Sequence, residues 1–295
     1  MKHVFILNPK AGFRRTEQMT QLIREKFGDS AIVRFTERAG HASEIAKEYD
    51  DAVIYAVGGD GTVNEVLCGM AGSDNTLCVL PEGSGNDFVR TLYDHVPKSK
   101  RNAKYLLSDP ETLKPRTIDY GKVNEKAFVN IASVGFDAEV VRNSERFKNN
   151  PILRRISYIL AIFYTIFHYR GTDLEGEIDG VPFKQKALLL CIANGVYYGG
   201  GVPIAPGADL SDGKFDTYLI DDVTPFTFLC ILPLLSFGWH TKVKYVHHFR
   251  AERVTLKGEN LTLNLDGELS DAKEVTLEMV HHGLNVLAPQ GKESV

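Results

Sequence analysis

Cysteine is scarce in this sequence. The 295 residues hold four, Cys68, Cys78, Cys191 and Cys230, far apart and with no metal-ligand spacing. This argues against a disulfide-stapled scaffold and a cysteine-based zinc site, and for free thiols in a reducing cytosol. Basic residues are not in excess either: 34 Lys and Arg stand against 38 Asp and Glu, for a net charge of −4. A general nucleic-acid binder would normally be basic, so no nucleic-acid partner is expected. No apolar run reaches the ~20 residues that cross a bilayer. The two longest candidates are 156–167 and 226–239, the second interrupted by Pro233 and preceded by Pro225. Buried core is the first expectation for both, and contact with lipid the alternative. The N-terminal apolar run is too short for a signal peptide and reads as a strand. Also missing is a Gly-x-x-x-x-Gly-Lys-Ser/Thr loop, and Gly83-Ser84-Gly85 lacks the third glycine of a dinucleotide fingerprint.

What is present is ordinary in bulk: 43% hydrophobic and 24% charged residues, in a length that suggests two domains. The chain is organised around Gly58-Gly59-Asp60-Gly61-Thr62-Val63-Asn64-Glu65. Before it, 52–57 is a continuous apolar run, the pattern of a strand buried on both faces. After it, Val63, Val66, Leu67 and Met70 recur at helical spacing. Strand, glycine turn and helix form a usual phosphate site, since glycine admits backbone N–H groups and the helix start offers free donors. Asp60 would repel a phosphate unless it acts through Mg²⁺ or on the proton of an attacking hydroxyl. A plain strand-to-helix turn explains a single such motif equally well.

Strands at 3–7, 31–35, 52–57 and 76–80 alternate with helical patterns, which predicts a doubly wound parallel sheet with ligands at its carboxyl edge. Asn8 to Gly12, Thr36, the 58–64 turn and the 81–87 segment each follow a strand, so four strand ends aim at one edge. Beyond about residue 122 short strands dominate, at 126–131, 174–178, 186–193, 214–220, 253–257, 261–265 and 274–279. They predict a mainly antiparallel β-sandwich, interrupted by a helical insertion at 154–169. The expected division is an α/β nucleotide-binding domain at 1–122 and a β-rich lipid-substrate domain at 123–282, with 283–295 returning to the first.

Taken as a set, these residues resemble the diacylglycerol kinase catalytic-domain family. The soluble bacterial lipid kinases are nearest, with sphingosine kinases and NAD kinases more distant. The resemblance rests on Asn8-Pro9-x-Ala11-Gly12, Gly58-Gly59-Asp60-Gly61-Thr62-x-Asn64-Glu65, Pro81-x-Gly83-Ser84-x-Asn86-Asp87-Phe88, Asp119-x-Gly121, Asp212-Gly213 and Asp266-Gly267-Glu268. It covers essentially the whole chain.

The resemblance implies ATP and Mg²⁺ as cofactors. It implies ATP contacts from Asn8, Pro9, Lys10, Ala11, Gly12, Thr36, Gly58, Gly59, Asp60, Gly61, Thr62, Val63, Asn64, Glu65, Gly83, Ser84 and Asn86. Asp60 matches an essential aspartate near the catalytic Mg²⁺, Asp119 a second acid reaching that ion through water, and Glu268 the acceptor of the lipid hydroxyl's proton. Asp209, Asp212 and Lys214 match a structural Mg²⁺ site, with Asp212 ligating by its side chain. Phe13 departs from the family where some members carry lysine. The residue chemistry agrees: Mg²⁺ prefers oxygen ligands, and phosphoryl transfer needs metal, alignment and a proton acceptor.

The expected activity is ATP-dependent phosphorylation of a lipid alcohol, foremost diacylglycerol. Another lipid alcohol, NAD, or a non-catalytic membrane-associated nucleotide sensor are the alternatives. Basic residues near the apolar stretches, Arg146, Lys148, Arg154, Arg155, Lys242, Lys244 and Arg250, suit reversible contact with an anionic membrane surface. The expected place is cytoplasmic, peripheral at the inner membrane; the sequence leaves a homodimer open.

Overall fold

Strand β1 (Lys2–Leu7) is buried from Val4 to Leu7, between two parallel neighbours in the sheet. In this computed structural model, residues 2–9, 13–124, 126–148 and 156–289 are described. The expectations at Lys10, Ala11, Gly12, Arg154, Arg155 and 290–295 lie outside those residues, as does the Lys148 side chain.

The first half continues with α1 (Phe13–Phe27), β2 (Ala31–Phe35), α2 (His41–Ala46), β3 (Ala52–Gly58), α3 (Asp60–Met70), β4 (Thr76–Pro81), α4 (Asp87–Leu92) and α5 (Ala103–Ser108). Strand β1 pairs in parallel with β2 and β3, and β3 in parallel with β4. Every residue of β3 is buried, as its unbroken apolar sequence requires. On α3, Val63, Val66, Leu67 and Met70 form the buried face.

The second half comprises β5 (Leu113–Val123), β6 (Lys126–Phe128), β7 (Ile131–Gly135), α6 (Phe136–Lys148), α7 (Ser157–His168), β8 (Thr172–Ile178), β9 (Val181–Ala193), β10 (Tyr197–Tyr198), β11 (Val202–Pro203), β12 (Phe215–Asp221), α8 (Pro225–Leu235), β13 (Val246–Ala251), β14 (Arg253–Leu265) and β15 (Glu268–Pro289). Strands β9 and β14 each pair with β7 along one half and with β8 along the other, enclosing a core in which Phe128 stacks on Phe215. A second apolar layer lies between β7, β9 and β12 on one side and α6, α7 and α8 on the other.

Strand β15 spans both halves. Its start pairs with β14, and past an irregularity between Val280 and Leu284 its end, Asn285 to Leu287, runs parallel to β4. The hydrogen-bonded sheet therefore passes without a break from one half to the other.

Three readings need correction. The strand expected at 126–131 is two strands, because the amides of Val129, Asn130 and Ile131 all turn toward the Asp266 carboxylate. Helix α6, whose buried face includes Ala138 and Val140, was not expected. The apolar stretches are not wholly core: α7 buries Ser157, Ala161, Thr165 and Ile166, while Ile159, Phe163 and Phe167 stand about half exposed. The small side chains allow close packing on that face, which forces the bulky ones outward.

Candidate active site

The ends of the parallel strands are laced together. Asn8 N donates to Val57 O at 3.2 Å, Thr36 N to Leu7 O at 2.9 Å and Glu82 N to Gly58 O at 2.9 Å. Asn8 Nδ2 adds a bond to Thr62 Oγ1 at 3.3 Å. The turn after β4 closes on itself, with Gly83 N donating to Asn86 Oδ1 at 3.1 Å and Asn86 Nδ2 to Gly83 O at 2.8 Å. Asn86 sits at φ +52°, which asparagine tolerates better than most residues.

Asp60 opens α3 between the two glycine turns. Its Oδ1 accepts from Phe88 N at 3.4 Å, and a Cβ on Gly85 would fall 2.8 Å from its Oδ2. The carboxylate lies on the wall of a cavity of about 420 Å³, beside Val63, Ser84, Gly85, Asp87 and Phe88. The opposite wall comes from the other half: 129–131, Val141, Tyr158, Tyr198 and the turn at 264–267. Both walls are mixed: Val63 and Phe88 stand beside the carboxylates of Asp60 and Asp87, and Asn130, Asn264 and Asp266 stand among Ile131, Val141, Tyr158 and Tyr198.

The hairpin turn between β14 and β15 is held from both halves. Asp266 accepts from Val129 N at 2.9 Å, Ile131 N at 2.8 Å and Asn130 N at 3.2 Å, and from Asn64 Nδ2 of α3 at 3.0 Å. Burial nevertheless pushes its carboxyl up to about 6. Behind it, Gly267 N donates to Asn264 Oδ1, while Asn264 Nδ2 donates to the buried Asp137. Glu268 follows immediately and is exposed.

Several of the expected residues therefore come together, and others do not. Asp60, Val63 and Ser84 line the cavity. Gly58, Gly59, Gly61, Thr62 and Gly83 belong to the two turns that flank Asp60, and these residues, like Asn8 and Thr36, are not among the lining residues. Asn64 instead bridges the halves, bonding Asp266 and Ala127 O. Glu65 Oε2 accepts from Ala42 N at 3.1 Å, so it caps the start of α2. Asp119 is fully buried and is not among the lining residues. Its carboxylate accepts from Gly213 N at 2.7 Å and His282 N at 2.7 Å, and meets His281 Nδ1 at 3.0 Å. In the 209–214 loop, Asp209 caps Ser211, and Asp212 accepts from Lys214 N while ion-pairing with Arg250. A cation and Arg250 would compete for that carboxylate.

Residues 2–123 match the diacylglycerol kinase catalytic domain, and 130–288 match the YegS C-terminal NAD kinase beta sandwich-like domain. A diacylglycerol kinase of Bacillus subtilis (strain 168) is 30% identical over 97% of this chain and 96% of its own. One from Staphylococcus aureus (strain JH9) is 31% identical over 95% of this chain and 84% of its own. The chain belongs to the diacylglycerol kinase family. The fold agrees: a crystal structure from Bacillus anthracis str. Sterne superposes with a TM-score of 0.76 at 24% identity, covering 97% of each chain. A second, of a diacylglycerol kinase from the same organism, gives 0.69 at 20% identity, covering 97% of this chain and 96% of the other.

Sequence reasoning gave no role to part of this diacylglycerol kinase-family cavity, although it quoted Asp87 within the 81–88 motif. Asp87 reaches it with one oxygen bonded to Gly200 N at 2.8 Å and the other, Oδ1, buried without a hydrogen bond, 3.6 Å from Arg90 Nε. Burial, with Asp60 nearby, raises its carboxyl above the ordinary range. Tyr158 and Tyr198 were also missed. The run Gly199-Gly200-Gly201 was the available signal, because consecutive glycines mark a turn that uses left-handed backbone, and all three stand at positive φ.

Proposed function

We propose that this chain is an ATP-dependent lipid kinase that transfers the γ-phosphate of ATP to the hydroxyl of diacylglycerol, giving phosphatidic acid. The observation that carries the reading is Asp60: a carboxylate between two interlocked glycine turns, facing Tyr158, Tyr198, Ile131 and Val141, with Asn130, Asn264 and Asp266 among them, across a cavity between the two halves. The first wall suits a triphosphate and the second an acyl glycerol.

In this reading Asn8, Pro9, Lys10, Ala11, Gly12, Thr36, Gly58 to Thr62, Gly83 and Ser84 hold ATP. The residues present fit a hard cation, since Asp60 and Asp87 bring carboxylate oxygens to one cavity and Asp87 Oδ1 is buried without a hydrogen bond. Bound there, Mg²⁺ would neutralise triphosphate charge. Asp60 would hold it, and Glu268, exposed beside Gly267, would accept the proton from the lipid hydroxyl. Asp119 takes a supporting part, tying the 209–214 loop to β15. Residues 1–122, with 283–295, are assigned to nucleotide binding and 123–282 to the lipid.

Lipid would enter along α7, because Tyr158 lines the cavity and begins the exposed row Ile159, Phe163 and Phe167. Phe226, Phe237 and Trp239 are also exposed, with Lys242 and Lys244 close behind in the chain. These features support reversible docking on the cytoplasmic, anionic face of a membrane. Among the described residues no helix is long and apolar enough to span one.

The test is transfer of labelled γ-phosphate from Mg-ATP to diacylglycerol in mixed micelles, beside Asp60→Asn and Glu268→Gln. Wild-type product and a loss of at least about a hundredfold in each variant are expected. Phosphorylation of NAD in place of lipid, or ATP binding without turnover on any lipid alcohol, would overturn the reading.

A further inference from the structure

Away from the cavity, Asp119, His281 and His282 bring their ligand atoms within 4.8 Å of one another. Consecutive residues of a strand point to opposite faces, so two histidines in a row should not share a target. Here they do. The irregularity in β15 between Val280 and Leu284 places His282 at φ +51°, and the two rings stack with centroids 3.8 Å apart. Both rings are exposed, whereas Asp119 is fully buried.

The spacing suits a metal ion. Asp119 Oδ1 and His281 Nδ1 are 3.0 Å apart. Neighbouring ligands at about 2.0–2.1 Å from one ion are separated by about 2.9 Å at a right angle and about 3.4 Å at the tetrahedral angle. Gly213 N donates to Oδ2, and His282 N to Oδ1, the oxygen that also meets His281, and these bonds fix the carboxylate as partners fix a metal ligand. Gly213, at φ +75°, leaves room over the His281 ring, since a Cβ there would stand 3.0 Å from Nδ1. Two imidazoles and one carboxylate favour a borderline transition ion, whereas Mg²⁺ prefers oxygen alone.

We propose that Asp119, His281 and His282 form a binding site for a divalent transition-metal ion of the Zn²⁺ or Co²⁺ kind. The exposed rings supply the way in, and the His282 ring, stacked on His281, would turn to complete the set. Through the Gly213–Asp119 bond, the ion would tie the 209–214 loop to β15. The site shares Asp119 with the kinase reading but is tested by metal binding, apart from turnover.

The experiment is calorimetric titration of the full chain with ZnCl₂, with CoCl₂ followed by visible absorption. Asn at 282 keeps the left-handed backbone accessible. One Zn²⁺ per chain is expected, weakened more than about a hundredfold in His281→Gln/His282→Asn. The control His247→Gln/His248→Gln should bind as the parent does. Melting curves without metal check that the variants fold; should the double variant fail, His281→Gln alone carries the test, because its ring is exposed. Unchanged affinity in the His281 variants, equal loss in the control, or displacement of Co²⁺ by equimolar Mg²⁺ would overturn the site.

Discussion

Gly59 and Gly83 touch backbone to backbone. A Cβ built on Gly83 falls 2.5 Å from Gly59 Cα, and one on Gly59 falls 3.2 Å from Gly83 Cα. The turns after β3 and β4 are thus one unit, and Asp60 is positioned by both. Glycine is required here for close approach, not for an unusual φ.

Gly83→Ala should separate the two turns. Overpacking of this kind costs about 1–3 kcal/mol. The variant is expected to unfold at lower denaturant and to lose phosphoryl transfer, with a raised KM for ATP. Urea titration beside ATP kinetics checks both; an unchanged midpoint and KM would show that the contact yields freely.

The Asp266 carboxyl, at about 6, lies above its ordinary value near 3.9 when unfolded. A raised folded pKa favours the protonated form, so its stabilising contribution is complete below about pH 4 and is lost as pH rises through about 6. Buried Asp87 and Asp137 act in the same direction. Asp266→Asn should be less stable overall, because an amide cannot accept from four donors, yet flatter in stability between pH 4 and 6. Denaturation midpoints across that window for both proteins decide it. A parallel pair of curves would remove Asp266 as a source of the slope.

Phe163 and Phe167 are 48% and 52% exposed, so charging them should leave the fold intact. Burying a phenylalanine side chain contributes about 1.5–3 kcal/mol. Phe163→Glu/Phe167→Glu is therefore expected to weaken flotation with anionic vesicles by tenfold or more. Turnover on a dispersed short-chain diacylglycerol should change little. Equal loss on both substrates would place these residues in the cavity's chemistry and not at a membrane.

Local pattern alone determined much of this protein. Unbroken apolar runs marked β1, β3 and β4, helical spacing marked the buried face of α3, and glycine beside Asp60 marked the central turn. Each is a property of neighbouring residues, because side-chain period and backbone freedom are written within a few positions. Sequence order along the strands also sent Asn8, Thr36, Asp60 and Ser84 to one edge. Partnership across the fold was another matter. Asn64 meets Asp266 across 202 positions, Glu65 turns back to cap α2, Asp119 joins the 209–214 loop, and Tyr158 and Tyr198 complete the cavity. Those contacts depend on how β15 threads both halves and how β14 turns, and no short stretch of sequence encodes the distance between two elements. The chain's own periodicity chose its strands, its helices and the position of Asp60; only tertiary packing decided what that carboxylate faces.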